Sequence, residues 1–425
     1  MQETQSKEDI RDHFYAPLAT FIESASHQYS CHKLADEQWI QAGVERVLGG
    51  QKSGCGFLQE GLIEGVIDAK KSHYFESLKS KRRLTHLKEI VLNFNQSHAL
   101  EALKQSPSAG LHPSLKDLHI YAGDGHFHAA SSHEERDEKG KKHAIGHLYA
   151  LNLRSQMLSH LKLTSEAGVK KAHDMAVLKK LDAATLRQGA NKGQRVLYVW
   201  DRAGIDFVQW DKWKYTNGIY FLSREKENMK LTKMGNHGYD REDSINSGVI
   251  ADELVGNSAG RTLRRVLFIS PETGETLSFI TTLGAAIPPG VIAQLYFMRW
   301  RIEKSFDELK SKLGEQKAWA KSTIAKEMQA NFNTLAYNLS VKLEQEIERD
   351  LEIRDEKNVR KRLRRQREMK AYQKTKDRVM PSLRESDKKA SQRSVKFYRW
   401  LRINLRKSSC WIVAVGQLAL IYERF

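Results

Sequence analysis

The sequence predicts an α/β protein: a core of strands and helices with a mainly-β insertion, preceded by a helical domain and followed by a basic, helical region. Three observations predict it. Apolar residues recur at helical spacing through about residue 105, strand-like and helix-like segments alternate from residue 117, and Lys and Arg dominate residues 354–393. The predicted domains are 1–105, 106–350 with the insertion at about 210–290, and 351–425.

The N-terminal domain contains three segments with apolar residues at helical spacing: HFYAPLATFIESA, EQWIQAGVERVLGG and GFLQEGLIEGVIDA. Gly49 and Gly50 interrupt the pattern. The basic stretch Lys79–Arg83 follows. Short helices of this kind are typical of a helix-turn-helix DNA-binding domain, and equally of packed helices without a special function, so both interpretations stay open.

The pattern changes at residue 117. DLHIYAGDG and HAIGHLYALNL have strand character, KKAHDMAVLKKL is an amphipathic helix, and RVLYVWDRAG is a buried strand that ends on an acid. Three further strands, GIYFLSR, RRVLFIS and TLSFITTL, are predicted between Trp213 and Pro289, and residues 291–350 return to helix.

The charge of the chain indicates a polyanionic partner. Its 70 Lys and Arg against 52 Asp and Glu give a formal charge of +18 and a pI near 9.6, which favours nucleic acid. A soluble enzyme that happens to be basic is the alternative. Residues 354–393 contain 16 Lys and Arg against 6 Asp and Glu, a composition typical of a solvated face or of phosphate contact.

The remaining composition excludes several classes of protein. The three cysteines include no C-x-x-C pair, which excludes a disulfide framework and a cysteine zinc site. The N-terminus lacks the apolar core of a signal peptide, and the longest apolar run, Trp411–Tyr422, is too short to span a bilayer. We therefore expect a soluble cytoplasmic protein without a membrane partner.

The most specific stretch is YFMRWRIEKSFDELK, residues 296–310. It contains a phenol, a guanidinium, a carboxylate and an ammonium at offsets of 0, 3, 7 and 14: Tyr296, Arg299, Glu303 and Lys310. At about 100° per residue these positions share an arc of roughly 60° on one helix. The apolar residues on the adjoining arc predict burial of that side, with the polar stripe facing a cleft. A surface helix with ordinary salt bridges is the alternative.

This Y-x2-R-x3-E-x6-K pattern resembles the signature of DDE transposases of the insertion-sequence family numbered four, and every signature position matches. The resemblance implies that Glu303 is the third catalytic carboxylate and that Tyr296, Arg299 and Lys310 contact DNA phosphates. Cationic donors around the non-bridging oxygens would assist in-line attack on a phosphodiester.

The resemblance also implies a ribonuclease-H-like fold with two earlier aspartates at strand ends. Asp124 follows LHIYAG and Asp201 follows VLYVW, and the pair Asp201 and Arg202 resembles the family's second block, so we include Arg202 among the DNA-binding residues. Three carboxylates suit Mg2+ or Mn2+, with two ions per active site.

By the same resemblance, the function is metal-dependent phosphodiester hydrolysis and strand transfer at the ends of an insertion sequence. The expected partners are double-stranded DNA, as transposon ends and target, and a second copy of the chain in a synaptic complex. The expected location is the prokaryotic cytoplasm, in association with the nucleoid.

The 101 residues between Asp201 and Glu303 resemble the family's β-rich insertion domain. An aromatic side chain of that domain helps to hold a flipped base; Trp210 and Trp213 are candidates, although burial in the core is the interpretation we favour for them. Three other acids are rejected as catalytic, two because they lie beyond the strand end and one because it lies off the polar stripe: Asp206, Asp211 and Glu308.

Two alternative functions remain. The stretch DGHFHAASSHEE places His126, His128 and His133 beside Asp124, as a histidine-dependent zinc or iron metallohydrolase could require. The other alternative is a catalytically inactive, DNA-binding transposase relic, against which the intact set of three carboxylates argues.

Overall fold

A computed structural model describes residues 8–25, 34–50, 53–65, 67–104, 111–164, 174–257, 260–270, 273–355, 360, 364 and 383–424. The chain forms two compact units, one of Met1–Ile90 with Asp307–Phe425 and one of Val91–Phe306. The proposed division into functional domains at residues 105 and 350 stays a prediction.

The described helices are α1 (Ile10–Tyr15), α2 (Ala19–Ser24), α3 (Asp36–Leu48), α4 (Gly54–Ile63), α5 (Lys71–Ser77), α6 (Lys81–Lys104), α7 (Asp174–Leu178), α8 (Ala183–Arg187), α9 (Phe207–Asn217), α10 (Pro289–Met298), α11 (Trp300–Ser311), α12 (Thr323–Asp350), α13 (Leu383–Arg406) and α14 (Trp411–Arg424). The described strands are β1 (Leu118–His128), β2 (Ile145–Asn152), β3 (Leu158–Leu163), β4 (Arg195–Val199), β5 (Ile219–Arg224), β6 (Thr232–Asn236), β7 (Val249–Gly256), β8 (Thr262–Ile269) and β9 (Thr276–Thr281). No described helix has both the length and the apolar character that crossing a membrane requires.

The first unit is helical, as the N-terminal spacing predicts. Its α3 ends at Leu48, directly before the two glycines that interrupt the pattern. Trp39 of α3 is fully buried and packs edge-on against Phe332 of α12, with ring centroids 5.0 Å apart. The helical character expected near the C-terminus is confirmed by α13 and α14, whereas most of the basic stretch 354–393 lies outside the described residues.

The second unit is built on one sheet, which among the described residues has nine strands in the order β3-β2-β1-β4-β5-β9-β8-β7-β6. Strands β1, β4 and β5 are parallel neighbours, and the remaining pairs are antiparallel. Burial explains the sequence of the central strands: every residue of β2 is buried, and so are the last four of β4. Such strands carry almost continuous apolar runs.

The segments predicted as strands are confirmed as β1, β2, β4, β5, β8 and β9. The sequence did not reveal β3, β6 and β7, and the region we expected to be mainly β begins with the helix α9. Strands β6–β9 extend the same sheet beyond β5, because β9 pairs with β5 in antiparallel register. The architecture is therefore mixed α/β with one large sheet.

Candidate active site

The register of β1 and β4 brings two predicted acids to the same level of the sheet. The last parallel pair is Ala122 with Val199. Asp124 lies two residues beyond Ala122, and Asp201 two residues beyond Val199. Neighbouring parallel strands have the same rise per residue, so both carboxylates lie at the carboxyl end of the parallel part of the sheet.

Local hydrogen bonds orient both aspartates. Asp124 Oδ1 accepts from the backbone N–H of Gly125 at 2.8 Å. Asp201 caps a short 3-10 turn, with its Oδ1 accepting from the N–H of Ala203 at 2.8 Å, and its carbonyl accepts from Ser223 Oγ of β5 at 2.8 Å. These hydrogen bonds hold both carboxylates in place, and that of Asp201 is a cap.

One expectation about Asp124 is wrong. We expected it at the end of a strand, but β1 continues to His128 because the antiparallel partner β2 pairs with it from Tyr121 to His128, Asp124 lying opposite Tyr149. Asp124 therefore lies within a strand, just past the point where the parallel pairing ends.

A glycine in β1, Gly123, leaves room for the tryptophan that precedes Asp201. A Cβ at Gly123 would lie 2.4 Å from the ring of Trp200, closer than atoms can approach. Trp200 immediately precedes Asp201 and is 2% exposed. The missing side chain at Gly123 thus leaves the space in which the Trp200 ring packs against β1.

The signature residues lie on two helices, which corrects the prediction of one. Tyr296 belongs to α10, and Arg299 separates α10 from α11, which carries Glu303. The backbone hydrogen bonds at this point have the 3-10 pattern, between residues three apart. Arg299 N–H donates to Tyr296 O and Ile302 N–H donates to Arg299 O, both at 3.1 Å.

Arg299 joins two of the predicted catalytic acids. Its Nη1 lies 3.2 Å from Asp124 Oδ2, and its Nη2 lies 2.9 Å from Glu303 Oε1. The arginine side chain is 11% exposed, and its Nε is buried without a hydrogen-bond partner among the described residues. The guanidinium carbon lies 5.8 Å from the centre of the Tyr296 ring, within range of a cation–π contact.

The electrostatics indicate that all three acids act on one another. Burial raises the pKa of Asp124 from 3.8 to about 6. The ion pair with Arg299 opposes this shift, whereas the charges of Asp201 and Glu303 add to it. Burial also raises the pKa of Glu303, with Arg299 opposing and Asp201 adding. The carboxylates thus interact electrostatically, and burial favours the protonated forms of Asp124 and Glu303.

The donor chemistry fits divalent cations that prefer oxygen. The three side chains offer carboxylate oxygens only, the ligands of Mg2+ and Mn2+, and a guanidinium cation already bridges two of them. In the part of the chain that the structure describes, no three His, Cys, Asp or Glu side chains are arranged to hold a metal ion as they stand. The carboxylates therefore suit the ions chemically but require rearrangement to bind them.

The segment between β6 and β7 and the strand β9, both within the predicted insertion, position α10. The N–H of Gly290, in the first turn of α10, donates to Asn246 Oδ1 at 3.0 Å, and Asn246 Nδ2 donates to Asp240 O at 2.7 Å. At the other end of α10, the Tyr296 ring packs on Phe279 of β9, with centroids 4.9 Å apart. Residues of the insertion thus hold both ends of the helix that leads to Arg299.

Two predicted DNA-binding residues take no part in the contacts described above. Arg202 Nη1 lies 3.5 Å from Glu227 Oε1, in an ion pair whose side chains are 38% and 91% exposed. Lys310 is exposed, near the end of α11 and within the other unit. Contact of either residue with DNA stays a prediction.

The acids rejected from the sequence have structural partners. Asp206 caps α9 and pairs with Lys179, and Asp211 pairs with Arg261 at 2.6 Å. The expectation that Trp210 and Trp213 belong to the core is confirmed by exposures of 0% and 3%.

The histidines form a chain that sequence analysis found only in part. His128 Nε2 lies 3.1 Å from His147 Nε2, and His147 Nδ1 lies 3.0 Å from His160 Nε2. Since His147 uses both ring nitrogens, the three rings cannot all ligate one ion in this arrangement. His126 instead packs against Phe306, and His133 is exposed. Histidines on β2 and β3 carried no motif that would have revealed the chain.

Comparisons with known proteins agree with the resemblance at the level of the family. The family model described as Transposase DDE domain matches residues 116–339, more than half of the chain, and these include Asp124, Asp201 and Glu303. No curated protein sequence matches the chain. A solved piggyBac transposase, in a synaptic complex with hairpin DNA, is 8% identical with a TM-score of 0.40, covering 99% of this chain and 87% of that one. That score is too low to support conclusions, and it is the family match that shows that this chain belongs to the transposases with a DDE domain.

Proposed function

We propose that the protein is an active DNA transposase of the insertion-sequence family numbered four, which hydrolyses and rejoins phosphodiesters with a site built from Asp124, Asp201 and Glu303. The observation that carries the proposal is the convergence of these acids: two in matched register on parallel strands, and the third tied to Asp124 through Arg299. The meander β3-β2-β1 followed by the parallel strands β4 and β5 supports a ribonuclease-H-like core.

In this proposal the protein supplies position and charge. The three carboxylates would hold two Mg2+ or Mn2+ ions, which when bound would activate the attacking oxygen and stabilise the leaving one. Arg299, Lys310 and Tyr296 bind phosphate oxygens at the transposon end, and Arg202 adds a further cationic contact. No covalent protein intermediate is required.

The partners follow from this chemistry. We propose double-stranded DNA as transposon ends and as target, and a homodimer that brings two ends together in the cytoplasm of a prokaryote, next to the nucleoid. The formal charge of +18 supports a polyanionic partner. The helical N-terminal region and the basic C-terminal region are candidates for end recognition and for further DNA contact.

The test is cleavage of DNA fragments that span the ends of the sequence flanking the gene. We expect cleavage to require added Mg2+ or Mn2+, and to fall on the order of a thousandfold or more in Asp124→Asn, Asp201→Asn and Glu303→Gln, because each removes an anionic ligand with little change in size. Gel-shift binding should survive. Glu242→Gln, at an exposed carboxylate of the same unit that has no role in the proposed site, is the matched control and should cleave like wild type. Normal cleavage by any of the three variants would show that its carboxylate is wrongly assigned.

The alternatives have less support. A histidine-dependent hydrolase needs the imidazoles to converge on one ion, whereas His128, His147 and His160 are linked ring to ring. An inactive relic would not be expected to keep all three acids of the DDE set, two of them in matched register on parallel strands.

A further inference from the structure

Arg299 forms ion pairs with two carboxylates, although its guanidinium is equally suited to bind a phosphate. Two of its nitrogens bond acids from different elements, Asp124 of β1 and Glu303 of α11, at 3.2 and 2.9 Å. A guanidinium presents its donors as a flat fork that matches either a carboxylate or a phosphate. The same N–H groups cannot serve both anions at once.

The ion pairs also engage the oxygens that a divalent cation would use. Asp124 Oδ2 and Glu303 Oε1 face a positive charge that is mostly buried, where electrostatic interactions are stronger than in water. A second, divalent cation placed among the same acids would be repelled by Arg299 for as long as the arginine remains there. Cation binding and the arginine ion pairs therefore oppose each other.

We propose that Arg299 is an electrostatic interlock, which neutralises Asp124 and Glu303 until a DNA phosphate draws its guanidinium away, so that DNA binding raises the affinity of the carboxylates for divalent cations. This inference rests on the proposed function, since it takes the three acids as the cation ligands. Linkage requires the converse as well: a bound cation releases the arginine and raises affinity for the DNA phosphate by the same factor. The interlock would restrict cleavage competence to the DNA-bound enzyme.

The contacts of Arg299 suit a side chain that changes partners. It lies at the junction between α10 and α11 rather than inside either helix. The Tyr296 ring, 5.8 Å from the guanidinium carbon, offers a cation–π surface that does not depend on which anion the guanidinium bonds. The buried Nε has no hydrogen-bond partner among the described residues, so the two acids leave part of the donor capacity of the guanidinium unused.

The experiment measures Mn2+ binding to the full chain without DNA, from the electron paramagnetic resonance signal of free Mn2+. Arg299→Gln removes the charge and keeps much of the side-chain size, and we expect it to bind Mn2+ about 5- to 150-fold more tightly than wild type, the usual range for coupling between two sites. Arg195→Gln removes the same charge from an exposed position at the opposite end of β4 and should leave the affinity unchanged. Arg299→Lys keeps the charge but lacks the forked guanidinium, and its Mn2+ affinity should lie between those of wild type and Arg299→Gln. This variant provides the test if Arg299→Gln does not fold.

A second measurement adds a DNA duplex taken from the sequence that flanks the gene. Once the Mn2+ bound by the duplex alone is subtracted, the duplex should tighten Mn2+ binding by wild type more than by Arg299→Gln, because in that variant no ion pair remains to be displaced. Equal Mn2+ affinities of wild type and both Arg299 variants, or a wild type insensitive to the duplex, would overturn the interlock.

A third variant separates this inference from the function on which it rests. If Asp201→Asn weakens Mn2+ binding while Arg299→Gln equals wild type, the carboxylate site stands and the interlock alone is wrong. If Asp201→Asn leaves Mn2+ affinity unchanged, the assignment of the acids as cation ligands fails, and the interlock fails with it.

Discussion

Replacing Gly290 by Ala should destabilise the second unit and misplace α10. A Cβ at this position would lie 1.8 Å from the carbonyl oxygen of Ile245 and 3.0 Å from Cα of Asn246. Both contacts are with backbone, so no side-chain rotation relieves them, and the loop or the helix must move. The movement would also break the 3.0 Å hydrogen bond from Gly290 N–H to Asn246 Oδ1.

The size of the effect follows from three contributions. Overpacking of this kind costs about 1–3 kcal/mol, and the lost hydrogen bond about 0.5–1.5 kcal/mol. Alanine offsets about 1 kcal/mol of this, through its higher helix propensity and the smaller entropy of its unfolded chain. The net loss is therefore about 0.5–3.5 kcal/mol, which for a unit of roughly this size lowers Tm by about 1 to 14 °C.

The assay is thermal unfolding of the full chain, paired with cleavage of a DNA end. Gly284→Ala is the matched control, since it lies in the same connection and no atom lies within 4 Å of its Cβ position. It should unfold within about 0.5 kcal/mol of wild type. Cleavage by Gly290→Ala should fall more than its folded fraction does, because a displacement of about 1 Å at a reacting centre can cost about a hundredfold in rate. Equal unfolding temperatures for both alanine variants would refute the close approach of the insertion to α10.

Three further predictions address other parts of the chain. Burial raises the pKa of Glu308 from 4.5 to about 7, so protonated Glu308 stabilises the fold fully below pH 4.5, and this stabilisation is lost as the pH rises through about 7. The difference in unfolding free energy between pH 5 and pH 8 should therefore be smaller in Glu308→Gln than in wild type. An unchanged difference would contradict the raised pKa of Glu308. His147→Ala removes a fully buried ring and should cost about 2–4 kcal/mol of stability without changing Mn2+ affinity, whereas lost Mn2+ binding with unaltered stability would favour the histidine-dependent hydrolase. If residues 354–393 contact DNA phosphates, replacing their Lys and Arg by Gln should lower the slope of log affinity against log salt, and an equal slope in titrations of both proteins would make the segment a spacer or a protein-binding surface.

The sequence predicted the features that depend on local pattern. The apolar runs before Asp124 and Asp201 identified β1 and β4, and the offsets from Tyr296 identified a helical region, although this region is divided between α10 and α11. These signals lie within a few residues of each other along the chain, where periodicity is informative.

Features that depend on pairing between distant segments were missed. The extension of β1 past Asp124 results from its register with β2, and the hold of Asn246 on Gly290 joins residues 44 apart in sequence. The ion pair between Arg299 and Asp124 joins residues that are 175 apart in sequence. No periodicity encodes such contacts, since they depend on which elements become neighbours.

Because the sheet is continuous, strands β6–β9 cannot be removed or exchanged without affecting β5. Strand β9 covers the side of β5 that β4 leaves open, so excising β6–β9 as a cassette would expose a buried strand, whose unpaired N–H and C=O groups would template aggregation. The outer edge is protected differently: β6 is short, carries Lys233 and has an irregular register with β7, all features that discourage edge-to-edge pairing. A shortened enzyme would need a replacement strand with the edge character of β6 grafted directly beside β5.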